Sequence, residues 1–138
     1  MFNRKERAEE ARLRELARIE RFASLTDDEL DAVIEAATYL TVPEDWTVMA
    51  ELTPADKAYV LLAGEVSVRR HGEEIARLGP GEIIGEMALV EHRLRSASVV
   101  ALTPLEVLHI TAEAFETLLE TVPHFHDVLI GAVEERHG

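Results

Sequence analysis

Between residues 39 and 110 apolar and polar positions alternate in short runs broken by turn-forming residues, and no long amphipathic stretch interrupts them. The alternation is clearest in Glu65-Val66-Ser67-Val68-Arg69, where a spacing of two predicts one buried and one wet face. The same pattern predicts strands near 39–42, 47–50, 57–62, 65–70, 73–78, 82–84, 96–102 and 104–110. His71-Gly72-Glu73 is placed to turn one strand back into Glu74-Ile75-Ala76-Arg77-Leu78 as a hairpin. Eight short strands without a regular strand–helix–strand rhythm predict a mainly β domain, an antiparallel eight-stranded roll of jelly-roll type.

Helical periodicity is confined to the two ends. Arg4 to Arg21 lacks Gly and Pro and carries a thin apolar stripe of Leu13, Leu16 and Ile19, which reads as a solvated helix. That stripe suits either packing along its own domain or contact with a partner or second copy. A further helix begins at Thr26-Asp27-Asp28-Glu29, which has the form of a capping box, and Leu30, Val33, Ile34 and Ala37 supply its buried face. Beyond the strands, Ala112–Glu120 and Pro123–Glu135 read as two helices, with Pro123 at a first-turn position separating them. The expected organisation is a charged helix over residues 1–21 and a β-roll domain with C-terminal helices over residues 22–138.

Charge narrows the range of partners. The net charge of −13 is unevenly spread: residues 1–21 hold seven Lys or Arg against five Glu, and the remainder holds seven against twenty-two acids. An acidic body repels nucleic-acid phosphates, so the chain is not expected to bind DNA or RNA. One well-placed Arg can still hold a single anion in a local pocket, because a diffuse surface charge is screened by salt. The absence of cysteine excludes disulfides, thiolate zinc sites and cysteine nucleophiles. With no signal-like apolar core at the amino terminus and no run of apolar residues long enough to span a bilayer, the expected location is the cytoplasm, without a membrane partner.

Chemistry concentrates in Gly85-Glu86-Met87-Ala88-Leu89, followed after a short insert by Arg95-Ser96-Ala97-Ser98-Val99. A strand running into Gly85 and then a single helical turn would present unpaired amides near Met87 and Ala88 to an anion. Arg95 lies nine residues after Glu86, and its guanidinium suits a phosphate through two parallel hydrogen bonds. Glu86, an acceptor only, suits a sugar hydroxyl. Together these groups fit one face of a nucleotide.

In these two motifs the chain resembles the cyclic nucleotide-binding domain family, whose pattern is Gly-Glu-x-Ala-Leu, a variable insert and Arg-(Ser/Thr/Ala)-Ala-x-Val. Gly64 before Glu65-Val66 and Gly81 ahead of the cassette extend the resemblance over about residues 22–135. It implies that Glu86 takes the ribose 2′-hydroxyl and Arg95 the cyclic phosphate. Groups of Gly85, Met87, Ala88, Ser96 and Ala97 would complete the oxygen contacts. Thr after the Arg accompanies guanine-containing ligands in the family, and Ser stands there in this chain, which leans the expectation to cyclic AMP ahead of cyclic GMP. The Pro43-Glu44-Asp45-Trp46 and Leu52-Thr53-Pro54-Ala55-Asp56 turns depart from the family's glycine-bearing turns. Leu94 stands where kinase-type members carry Pro, and Arg93 is a second nearby cation.

The histidines do not form a metal pattern: His124 and His126, two apart on an expected helix, point to different faces. No phosphate loop or Gly-x-Ser-x-Gly elbow is present, so no catalysis, metal or cofactor is expected. Phe125, Leu129, Ile130 and Val133 follow helical spacing as core, and the resemblance implies that one apolar residue of this region lies over the base. The expected function is a cyclic-nucleotide receptor or regulatory module without its own output domain, acting through a partner, a homodimer or sequestration of the nucleotide. The alternative is a degenerate roll, with Arg95 and Glu86 as a structural ion pair, that serves as a protein-interaction module.

Overall fold

The computed structural model describes residues 22–23, 25–85 and 94–125. Eight strands fall where the alternation places them: β1 (Thr38–Val42), β2 (Thr47–Met49), β3 (Lys57–Ala63), β4 (Val66–Arg70), β5 (Glu73–Leu78), β6 (Ile83–Ile84), β7 (Ser98–Ala101) and β8 (Leu105–Thr111). They form two four-stranded sheets, ordered β1-β8-β3-β6 and β2-β7-β4-β5, with every pair antiparallel. Among the described residues two helices accompany them, α1 (Asp27–Ala36) and α2 (Ala112–Thr121). The mainly β roll flanked by helices is therefore the fold of the chain. The N-terminal helix expected over 1–21, and the last expected helix beyond Phe125, lie outside the described residues.

The period of two decides what each face of β3 touches. Tyr59 and Leu61 face the second sheet and pack with Met49, Val66, Ile84, Val99 and Val107. Ala58, Val60 and Leu62 face the helices and pack with Val33, Leu108, Ile110, Phe115 and Leu118. A strand buried on both sides loses the simple alternation of apolar and polar residues. This explains why Ala58-Tyr59-Val60-Leu61-Leu62 reads as a continuous apolar run.

Local signals hold the helices and the hairpin in place. Thr26 and Glu29 close the capping box of α1 in both directions, and the Thr111 hydroxyl accepts from the Ala114 N–H at the start of α2. His71 and Gly72 both have positive φ, 53° and 81°, the mirror-image turn that matches strand twist in a two-residue hairpin. The helical layer is tied across the chain by Glu29. Its carboxylate accepts from the His124 backbone N–H at 3.0 Å and lies 2.6 Å from the His124 ring Nδ1. These hydrogen bonds, the ring contact first, hold the Glu29 carboxyl at about 2, below its ordinary 4.5.

One expectation is corrected. Ser67 was placed on the wet face of β4, yet it is fully buried, because charged side chains close over it. Its hydroxyl donates to Glu74 at 2.6 Å and accepts from Arg69 Nε at 3.1 Å, while Arg77 closes on the same Glu74 carboxylate at 2.8 Å.

Candidate functional site

Arg95 precedes β7 by three residues and is held by the turn that follows β2, the neighbour of β7 in the same sheet. Leu94 bridges Pro54, the Arg95 N–H donates to the Thr53 carbonyl at 2.8 Å, and the Leu52 N–H donates back to the Arg95 carbonyl at 2.8 Å. Leu52 adopts φ 66°, the left-handed region that bulky residues avoid. Strain of this kind persists where surrounding contacts over-determine the backbone, and it concentrates at functional sites. The turn that departs from the family's glycine-bearing form is thus the one that positions Arg95.

The Arg95 side chain is 4% exposed, the one charged side chain among the buried described residues. Burying a guanidinium is costly unless its N–H groups are satisfied. Nη1 donates to the Gly85 carbonyl at 2.7 Å and Nη2 donates to the Lys57 carbonyl. These oxygens come from the end of β6 and the start of β3, so the guanidinium joins two strands of one sheet. They orient the cation and carry no net charge.

Gly85 cannot be replaced at this junction without movement. It has φ 87°, and a Cβ there would lie 2.4 Å from Met49 Cε and 2.5 Å from Arg95 Nη1. Glycine is therefore required both by the backbone and by the approach of Arg95. Met49, buried at the end of β2, fills the remaining side of the contact.

Arg95 forms part of the wall of a 320 Å³ pocket, with Val48, Met49, Ala50, Thr53, Pro54, Asp56 and Lys57. Tyr59, one residue further into β3, has its hydroxyl pushed above the ordinary range by burial and by Asp56, against the opposing pull of Arg95. Its ring meets His109 edge-on at 5.4 Å, and His109 is pulled down by burial and then by the Lys57 charge. The arrangement brings a buried guanidinium, an ammonium and the Asp56 carboxylate to one concave surface.

Of the residues expected at the site, Gly85 and Arg95 are brought into direct contact. Ser96 is exposed, and its carbonyl accepts from Arg70 Nε at 3.1 Å; Ala97 is half-buried just ahead of β7. Glu86, Met87 and Ala88 lie outside the described residues, as does any ion pair between Glu86 and Arg95. The sequence reading missed Met49, Thr53, Asp56 and Lys57. Lys57 and Asp56 carried one usable signal, a charged pair heading a strand that is otherwise apolar.

Residues 39–122 match the family described as the cyclic nucleotide-binding domain. The chain is similar to glutaminase 2 of Bradyrhizobium diazoefficiens, 39% identical over 94 residues, covering 67% of this chain and 15% of that protein. It is similar to a cyclic nucleotide-gated potassium channel of Mesorhizobium japonicum, 29% identical over 123 residues, covering 89% and 34%. The cAMP-dependent protein kinase regulatory subunit of Aspergillus niger is 31% identical over 102 residues, covering 72% and 25%. The chain thus spans no more than 34% of the length of these relatives. Among solved structures, the catabolite activator protein of Thermus thermophilus superposes with a TM-score of 0.76 at 28% identity, covering 84% of this chain and 57% of that one. A cyclic nucleotide-binding domain from Methylobacillus flagellatus superposes with a TM-score of 0.74 at 27% identity, covering 91% and 74%.

Proposed function

The chain belongs to the cyclic nucleotide-binding domain family, and from that premise we propose that it is a non-catalytic receptor for a cyclic nucleotide monophosphate, cyclic AMP ahead of cyclic GMP. The observation that carries this reading is the buried Arg95 guanidinium, set against Gly85 at the wall of a pocket. A cyclic phosphate is a compact anion with two exocyclic oxygens, which a guanidinium recognises through paired N–H donors. In this reading Arg95 takes the phosphate and Glu86 the ribose 2′-hydroxyl. Groups of Gly85, Met87, Ala88, Ser96 and Ala97 complete the contacts.

Binding would be read out through the helices. The start of β3 holds Arg95 through the Lys57 carbonyl, and the opposite face of the same strand supports α2 through Val60 and Leu62. A ligand that contacts the two positions of the helical layer unequally shifts their balance. The signal then passes to a partner protein or a second copy of the chain, in the cytoplasm. Among the described residues no helix is long and apolar enough to cross a membrane.

A second reading, the ligand-free interaction module, draws on the same arginine: two carbonyls already accept from it, as a structural guanidinium requires. Titration calorimetry with cyclic AMP, cyclic GMP and linear AMP separates the two. The receptor reading expects saturable binding of a cyclic nucleotide and none of linear AMP. No heat with either cyclic nucleotide at millimolar concentration favours the interaction module.

A further inference from the structure

We propose that Lys57 is a second phosphate-binding cation, placed so that the ligand's phosphate is held between its ammonium and the Arg95 guanidinium; this rests on the receptor reading above. Three observations lead there. Lys57 and Arg95 line the same 320 Å³ pocket, from opposite sides of the chain's topology: Lys57 opens β3 and Arg95 precedes β7. The two are also linked directly, because the Lys57 carbonyl accepts from Arg95 Nη2. Lys57 therefore fixes the direction of the guanidinium with its backbone while its side chain adds a charge to the same pocket.

The third observation concerns what else competes for the ammonium. Its nearest described acidic group is Asp56, with Nζ 3.9 Å from Oδ1, at the outer limit of an ion pair. Asp56 is 72% exposed and Lys57 35% exposed, so water screens their attraction. A phosphate in the pocket competes only with this weak, exposed pair for the ammonium, while the Asp56 carboxylate on the same wall opposes it. Lys57 lies two residues before Tyr59 on the same face of β3; its own partner across β8 is Thr111, and Tyr59 is the residue opposite His109.

The chemistry divides naturally between the two cations. A guanidinium is a planar fork that selects orientation, whereas an ammonium is a compact charge that accepts any approach. Arg95 accordingly sets the pose of the phosphate, and Lys57 adds salt-sensitive affinity at an oxygen that Arg95 does not take.

The test is titration of the wild-type chain, Lys57→Gln and Lys57→Arg with whichever of cyclic AMP and cyclic GMP the wild type binds more tightly, at low and high salt. Lys57→Gln is expected to weaken binding by about tenfold at low salt, the scale of a lost hydrogen bond to a charged group, and by less at high salt. Lys57→Arg restores most of the loss, and unchanged thermal unfolding of the unliganded variants shows that the fold is intact. If Lys57→Gln binds within about twofold of wild type at both salt concentrations, the second-cation assignment is wrong while the receptor reading stands. If the wild type binds neither nucleotide, the receptor reading itself fails and takes this assignment with it.

Discussion

The two faces of β3 are built to different ends. On the helical face, Ala58, Val60 and Leu62 meet a continuous apolar layer, sealed by the Phe115 and Phe125 rings edge-on at 5.6 Å. At the opposite face, Leu61 packs against the second sheet, but the strand's first residues come up against a buried cation, a charged pair and a 320 Å³ pocket. One side is filled by side chains whose burial stabilises the fold. The other leaves space where its polar groups converge. The contrast teaches that a single strand can carry both stability and recognition, because its two faces are independent in sequence yet rigidly coupled in space.

Mutations on the two faces should therefore separate stability from affinity. The largest effect is expected for Phe115→Ala, which leaves a cavity beneath α2 and should cost about 3–5 kcal/mol of unfolding free energy, measured by denaturant titration. Cyclic-nucleotide affinity of the folded fraction is expected to hold. Arg95→Ala should do the reverse, lowering affinity by at least about a hundredfold through loss of paired charge-assisted hydrogen bonds. Its stability loss, from two carbonyls left without their donor, should stay near about 1–3 kcal/mol. If Arg95→Ala destabilised the protein as much as Phe115→Ala and left affinity untouched, the arginine would belong to the scaffold and the comparison would collapse.

Gly85→Ala sharpens the boundary between the two roles. Positive φ and a Cβ 2.5 Å from Arg95 Nη1 act together, so the substitution should cost about 1–3 kcal/mol in stability and also displace the guanidinium, weakening binding. A loss of stability alone would show that Arg95 tolerates the movement.

The smallest effect lies in the helical layer and depends on pH. Glu29 has a folded-state pKa of about 2 against an ordinary 4.5. Because the folded value is the lower one, its contribution is present above 4.5 and is lost as pH falls from 4.5 towards 2. Glu29→Gln should lower stability at neutral pH and flatten the fall over that acidic window, as followed by chemical denaturation across pH. An unchanged acid limb would show that the tie to His124 does not contribute to stability in solution.

The strands, the capping box at Thr26 and Glu29 and the hairpin at His71-Gly72 were legible because each depends on residues close in the chain. Gly85 and Arg95 stood out as residues for another reason, the distinctive spacing of their two motifs, but the hydrogen bond between them was not foreseen. What escaped depends on register between distant segments. Ser67 looks solvent-facing until Glu74, Arg69 and Arg77 fold over it. Lys57 looks like an ordinary strand-opening charge until β3 is laid beside the segment that holds Arg95. The Glu29 link to His124 joins residues 95 apart, and no local pattern announces it. The positive φ of Leu52 is likewise invisible in a sequence that offers no glycine at the turn.

Arg95 as the phosphate ligand is tested by thermal unfolding of the wild type and Arg95→Ala, each with and without an excess of cyclic AMP or cyclic GMP and with linear AMP as the control. At about 100 times its dissociation constant a ligand adds about 2.7 kcal/mol to the folded state, so the wild-type midpoint should rise by several degrees with a cyclic nucleotide. Linear AMP should leave it unmoved, and Arg95→Ala should show no rise with any of the three. A wild-type midpoint that stays fixed with both cyclic nucleotides at millimolar concentration would rule out the receptor, and a rise that survives in Arg95→Ala would rule out Arg95 as its phosphate ligand.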